Sequence, residues 1–223
     1  MSTPPDPQRT HDLLLQLRQS YRAGALLETD LAPDWLTQLR GWLDEAVGAG
    51  ILEPNAMVLA TATADAWPNA RSVLLRGLDE RGLHFFTNYR SAKGHELDAN
   101  PRAAAVFPWI AMGRQVVAAG SVHRLSAQES DAYFATRPRG HQLGAAASPQ
   151  SQVVPDRAAL DTAMRETVAR YPENAPIPRP EHWGGFRLQP ETVEFWEGRE
   201  DRLHDRLRYR RTPSGWVLER LAP

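Results

Sequence analysis

Apolar residues recur with two different periods along the chain, and the change of period divides it. Leu14, Leu17 and Tyr21 fall at helical spacing and lead to Gly24, a residue suited to a left-handed helix stop. A second helix is predicted near Pro33, where Trp35, Leu39, Trp42, Leu43 and Ala46 form one apolar stripe before Gly48 and Gly50. Such a stripe needs cover, from the core or from a second copy of the chain. From Met57 onward the runs shorten and fill with β-branched and aromatic residues: 57–63, 71–78, 83–88, 103–109 and 115–124. Trp67-Pro68-Asn69 and Asp79-Glu80-Arg81-Gly82 punctuate them as hairpin turns, so the five runs predict a meandering antiparallel sheet.

Ser126 and Glu129 form a capping box for a helix that carries Tyr133 and Phe134 and stops before Pro138. Asp156 is placed to cap another helix, running to Tyr171. After the proline-rich stretch 172–180, strands are predicted at 185–188, 192–196 and 207–211. A last strand at 216–221 follows the turn Pro213-Ser214-Gly215. Many short strands with helices at the margins predict an α+β fold built around a β-barrel. No internal repeat or linker divides the chain, so 1–223 is expected to form a single domain. Its N-terminal helices should occupy 10–50, and the polar, proline-rich residues 1–9 should be disordered.

Composition narrows the chemistry. With 42% hydrophobic and 24% charged residues in 223, the chain is ordinary for a folded domain. It has no long apolar run and no signal-like start, so a cytoplasmic location is expected. Cysteine is absent, which removes disulfides, thiolate nucleophiles and cysteine-held metals. A net charge of -1 gives no global field for a polyanion, so nucleic acid is a poor partner and any anion site must be local. There is no phosphate-binding P-loop, no Rossmann glycine fingerprint, no serine elbow and no zinc-protease helix. The seven histidines show no ligand spacing, and no metal is expected.

Three cationic groups stand out. In Trp196-Glu-Gly-Arg-Glu-Asp-Arg202-Leu-His204-Asp-Arg206, an extended backbone would put Arg202, His204 and Arg206 on one face, a comb suited to a phosphate or an electron-rich ring. A salt-bridged strand fits the same pattern, with Glu197, Glu200, Asp201 and Asp205 as partners. The second group is Arg71, Arg76 and Lys93, where Ser91 can cap a helix whose first amides would face an anion. Strict alternation points Arg71 and Arg76 to opposite faces unless a bulge intervenes. The third is Tyr133, Arg137, Arg139 and His141, with Gln150 and Ser151 a few residues on. A helix end carrying favourable cations would look the same.

Twelve segments, in order from Leu17 to the last residue, resemble the pyridoxine/pyridoxamine 5'-phosphate oxidase family. Among them are Arg71-Ser-Val-Leu-Leu-Arg76, Phe107-Pro-Trp109, Arg137-Pro-Arg139, Ser148-Pro-Gln-Ser151, Trp183-Gly-Gly-Phe-Arg187, Glu194-Phe-Trp196, Arg202-Leu-His-Asp-Arg206 and Arg220-Leu-Ala-Pro223. The resemblance implies a split β-barrel and a homodimer with two FMN sites at the subunit interface. It implies FMN contacts from Arg71, Ser72, Val73, Leu74, Leu75, Arg76, Phe86, Thr87, Lys93, Gln115, Gln150, Ser151, Trp196 and Arg206. The substrate positions it implies are Arg76, Tyr133, Arg137, His141, Arg202 and His204, of which Arg202 and His204 would assist the chemistry.

The implied reaction is oxidation of pyridoxamine or pyridoxine 5'-phosphate to pyridoxal 5'-phosphate, with dioxygen as acceptor and hydrogen peroxide as product. Four positions depart from the family pattern. Arg76 stands where lysine is usual, Ala92 where arginine is usual, His141 where serine is usual, and Ala146 where tryptophan is usual. His141 and Ala146 keep open an oxidase of another aromatic, such as a phenazine precursor. A non-catalytic flavin or pyridoxal phosphate binder is a third reading.

Overall fold

The computed structural model describes residues 24–223. The helix expected at Leu14 to Tyr21 and the expected disorder of 1–9 fall outside them. The first helix described, α1 (Trp35–Gly48), starts where the Asp34 carboxylate accepts the Thr37 amide at 2.8 Å, one residue after Pro33. Its stripe is covered by the chain's own sheet rather than by a partner. Trp42 meets Phe195 edge-on at 5.1 Å and Trp109 at 6.5 Å, and Trp35 meets Trp216 at 6.1 Å. Burying each of these side chains contributes about 1.5 to 3 kcal/mol. The stripe therefore asks for no second copy, which corrects one of the two options it left open.

Nine antiparallel strands form one curled sheet among the described residues. They are β1 (Ala56–Ala62), β2 (Pro68–Leu74), β3 (Gly77–Asp79), β4 (Gly82–Asn88), β5 (Arg102–Trp109), β6 (Arg114–Arg124), β7 (Trp183–Glu197), β8 (Asp205–Thr212) and β9 (Gly215–Arg220). The order is β2-β1-β5-β6-β7-β4-β3. One edge of β7 pairs with β4 through residues 183–188 and with β8 through 192–197, while β6 runs along the other edge. The sheet thus splits at β7, with β8 and β9 diverging from β4 and β3. The main core lies inside the curl, where Phe85, Phe107, Phe195, Leu59 and Val193 are fully buried.

Two sequence expectations need correction. The strand expected over 71–78 breaks at Leu75 and Arg76, because the Leu75 amide leaves the ladder for the Asn55 carbonyl and the Arg76 amide turns to His84. The two strands expected at 185–188 and 192–196 are one 15-residue strand, with a register shift opposite Pro190 that absorbs the proline. Helices α2 (Ala92–Ala99), α3 (Ala127–Thr136) and α5 (Arg157–Arg170) start at Ser91, Ser126 and Asp156, whose side chains accept amides of the first turn. A further helix, α4 (Arg139–Ala147), begins behind Pro138. With α3 and α5 it covers a second, small core of Phe134, Leu143, Ile177 and Trp183. No described helix is long and apolar enough to cross a membrane.

Candidate active site

The end of β7 at Trp183 and the face of β4 build one wall of a cleft of about 580 Å³. Phe86 of β4 stacks on Tyr133 of α3 at 3.8 Å and on Trp183 at 5.5 Å, giving a flat aromatic surface. Glycines allow this approach: a Cβ on Gly184 would stand 2.1 Å from the Tyr89 hydroxyl, and one on Gly185 2.8 Å from the Phe86 ring. β2 contributes Ser72, Val73 and Leu74, and the break after it brings in Arg76.

Among the described residues the cations of the cleft are Arg76, Lys93 and Arg137, with His141 beside them, and no aspartate or glutamate lines it. Lys93 is buried, and its ammonium donates to two neutral oxygens, Thr87 Oγ1 at 3.2 Å and Gln150 Oε1 at 3.4 Å. Burial, and then the charge of Arg71, push its pKa below the usual lysine range. Arg137 lies 4.5 Å over the Trp183 ring, and its buried Nη1 has no hydrogen-bond partner. Burial is also the main cause that lowers its pKa. A buried guanidinium N–H without a partner is costly, and an anion in the cleft would satisfy it. The site thus combines unpaired cations with an aromatic wall, as a phosphorylated aromatic ligand requires.

Of the residues singled out from the sequence, Ser72, Val73, Leu74, Arg76, Phe86, Thr87, Lys93, Tyr133, Arg137, His141 and Gln150 meet in this cleft. Leu75 is buried beside it in the core, and Ser151, next to Gln150, takes a left-handed φ of 71°. Arg71 forms an ion pair with Glu96 at 2.9 Å. The remaining residues collect elsewhere. Gln115, Trp196 and Arg206 are cross-strand neighbours on β6, β7 and β8, and the His204 ring lies 4.8 Å from that of Trp196.

The comb expected from Arg202 to Arg206 does not form as an extended strand. Glu200–Arg202 make a 3-10 turn in which Asp201 and Arg202 both have positive φ, 55° and 61°, and the strand starts only at Asp205. Consecutive left-handed non-glycine residues are strained, a condition concentrated at functional sites. His204 Nδ1 accepts the Arg199 amide at 3.0 Å, and Arg206 is held by Glu194 at 2.7 Å. Trp183 and Trp196 stand at opposite ends of β7, on the order of 40 Å apart at ~3.3 Å per residue along the strand. The two groups of candidate residues are therefore separate on one chain. Trp183, Thr136 and Pro138 line the cleft without having been singled out; the signal for Trp183 was its place beside the two glycines.

The sheet and its divided edge define a split-barrel protein with an anion-seeking cleft. A family model described as pyridoxamine 5'-phosphate oxidase matches residues 43–171, and one described as the pyridoxine 5'-phosphate oxidase C-terminal dimerisation region matches 183–223. The chain is 57% identical to a pyridoxine/pyridoxamine 5'-phosphate oxidase of Salinispora arenicola, over 93% of this chain and 95% of that one. To the oxidase of the same name from Cupriavidus necator it is 54% identical, over 94% and 99%. Among solved structures, PhzG from Burkholderia lata, in complex with tetrahydrophenazine-1-carboxylic acid, superposes with a TM-score of 0.85 at 34% identity, over 92% of this chain and all of that one. The chain belongs to the pyridoxine/pyridoxamine 5'-phosphate oxidase family, and by that membership it is an oxidoreductase.

Proposed function

We propose that the chain is an FMN-dependent oxidase that converts pyridoxamine or pyridoxine 5'-phosphate to pyridoxal 5'-phosphate, working as a homodimer with two shared sites. The observation that carries this reading is the cleft itself, with three cations, no carboxylate and an orphaned Arg137 N–H beside stacked aromatic rings. Thr87, Lys93 and Gln150 suit the phosphate of FMN, because their bonded cluster buries a cation whose charge nothing in the cleft neutralises. Arg76, Tyr133, Arg137 and His141 suit the phosphate of the substrate and fix its ring against the aromatic wall. Bound FMN supplies a hydride acceptor and passes the electrons to dioxygen, releasing hydrogen peroxide.

Gln115, Trp196, Arg202, His204 and Arg206 cannot reach this cleft on the same chain, being one strand-length away. A second copy bringing them to the cleft completes the site, and the strained Asp201-Arg202 turn then presents Arg202 and His204 to the substrate. There His204 assists loss of the amine or alcohol proton and Arg202 orients the ring.

The test is oxygen uptake by the purified protein with pyridoxamine 5'-phosphate, together with its visible absorption spectrum. A flavin spectrum and phosphate-dependent uptake support the reading. A colourless protein that neither takes up FMN nor consumes oxygen overturns it. A second reading has one observation in its favour. The cleft continues into a space of about 430 Å³ lined by Gly140, Gly144 and Ala145 of α4, room for a substrate with more rings. Faster uptake with a dihydrophenazine carboxylic acid than with pyridoxamine 5'-phosphate would select it.

A further inference from the structure

Across all 223 residues the chain has a single lysine, Lys93, and its other long cationic side chains are all arginine. A guanidinium stays protonated, whereas a lysine amine that loses its proton condenses with carbonyl compounds. The one side-chain amine of the chain that can do so stands in the cleft. Lys93 lines it together with Arg76, Phe86, Tyr133 and Arg137. It is 8% exposed, and its Nζ is held by Thr87 Oγ1 at 3.2 Å and Gln150 Oε1 at 3.4 Å, neither of which carries a charge. Burial, and then the charge of Arg71, lower its pKa against the opposing pull of Glu96. A larger share of this amine is therefore neutral, and able to act as a nucleophile, than on an exposed lysine.

We propose that Lys93 is a covalent capture site for a phosphorylated aromatic aldehyde whenever the chain holds no flavin. The inference rests on the reading that the cleft releases pyridoxal 5'-phosphate and that Lys93 meets the FMN phosphate. Arg76 and Arg137 supply charge for the phosphate of the aldehyde, and the stacked rings of Phe86 and Tyr133 supply a surface for its pyridine. With both parts of the molecule held in the cleft that contains Nζ, addition becomes effectively intramolecular. The ammonium first gives a proton to solvent. The Nζ lone pair then attacks the aldehyde carbon, and the carbonyl oxygen leaves as water with the two remaining amine hydrogens, so that a C=N bond replaces C=O. Nothing is oxidised or reduced, and hydrolysis reverses the step. Bound FMN prevents it, because its phosphate favours the ammonium form of Lys93 and occupies the space around it. The product aldehyde and the cofactor thus compete for one nitrogen.

Full-length protein stripped of flavin is first titrated with FMN, following quenching of flavin fluorescence. A chain that takes up no FMN removes the underlying reading before capture is tested. The stripped protein is then incubated with pyridoxal 5'-phosphate at pH 7, reduced with borohydride and digested, and the attached group is located by mass spectrometry. The expected result is one pyridoxyl phosphate on Lys93. Pyridoxal, which lacks the phosphate, should label Lys93 at least roughly tenfold more slowly, and protein loaded with FMN should be protected to a similar degree. After reduction and removal of free aldehyde, the labelled wild type should no longer take up FMN. Lys93→Arg, which keeps the charge but cannot form the imine, should take up FMN equally well before and after the same treatment. Label confined to the amino terminus overturns the proposal. So does labelling of Lys93 at a rate that neither the missing phosphate nor bound FMN changes, or undiminished FMN uptake by a chain labelled there.

Discussion

Two regions of the molecule are rich in arginine and lysine, and they use them in opposite ways. On β8 and β9, Arg208 and Arg210 share Glu219, and Arg220 binds both Glu28 and Asp205. These partners raise the pKa of Arg210 and Arg220, while hydrogen bonds from Arg210 and Arg208 hold Glu219 down at about 2. In the cleft the shifts run the other way. Lys93 and Arg137 are pushed down by burial, and the described residues that line the cleft with them and Arg76 include no carboxylate. A run of basic residues in a sequence thus says little about anion binding. What marks a site is cationic charge kept in a partly dry place without its counter-charge.

The sharpest way to break this contrast is to remove one cation from each region. Arg137→Ala should lower kcat/KM for pyridoxamine 5'-phosphate by roughly 10- to 100-fold, matching the ~1.5 to 3 kcal/mol of a charged hydrogen bond. Arg208→Ala, which removes one of the two arginines on Glu219, should leave it within about twofold. Steady-state oxygen uptake compares them, and equal losses would erase the distinction.

The aromatic wall can be disturbed without touching charge. Gly185→Ala puts a Cβ 2.5 Å from Leu125 and 2.8 Å from Phe86, so it should lower stability by about 1 to 3 kcal/mol in urea unfolding. Gly140→Ala on α4, with open space around its Cβ, should not destabilise.

Protonation separates the regions again. Lys93 must carry its proton to hold an anion, so FMN affinity should fall as pH rises through its lowered pKa, below the ordinary lysine range. Flavin titrations across alkaline pH should show this fall, and Lys93→Arg should move it to higher pH. The smallest effect belongs to Glu219. Its folded pKa is depressed from 4.5 to about 2, so its contribution is present above ~4.5 and lost as pH falls towards 2. The pair is exposed, so Glu219→Gln should change the melting temperature only slightly at pH 7 and narrow the difference further at pH 2 to 3.

Most of the fold could be read locally. The caps at Ser91, Ser126 and Asp156 depend on side chains three residues from their partners, and the stripe on α1 depends on spacing alone. What escaped is set by distant neighbours. The break at Leu75 and Arg76 follows from bonds to Asn55 and His84, and Pro190 sits inside one long strand because the register shifts opposite it. Helix α4 has no side-chain cap at Pro138 to mark its start and carries Gly140 and Gly144, both poor helix formers, and it forms against α5. For the site, residue types and motifs named most of the cleft, but spacing could not show that Arg71 and Arg206 are each tied to a carboxylate from another element. Nor could it show that the Arg202 to His204 segment is a strained turn.

The central claim is that one working site joins the cleft of one chain to the Trp196–Arg206 group of another. Mixed dimers test it most directly. Arg137→Ala and Arg202→Ala should each be nearly inactive alone, since each damages both sites of its own dimer. When the two are unfolded together and refolded in equal amounts, half the dimers are hybrids with one intact site, so about a quarter of wild-type oxygen uptake should return. A mixture no more active than its components would contradict the claim and put both groups to work on a single chain.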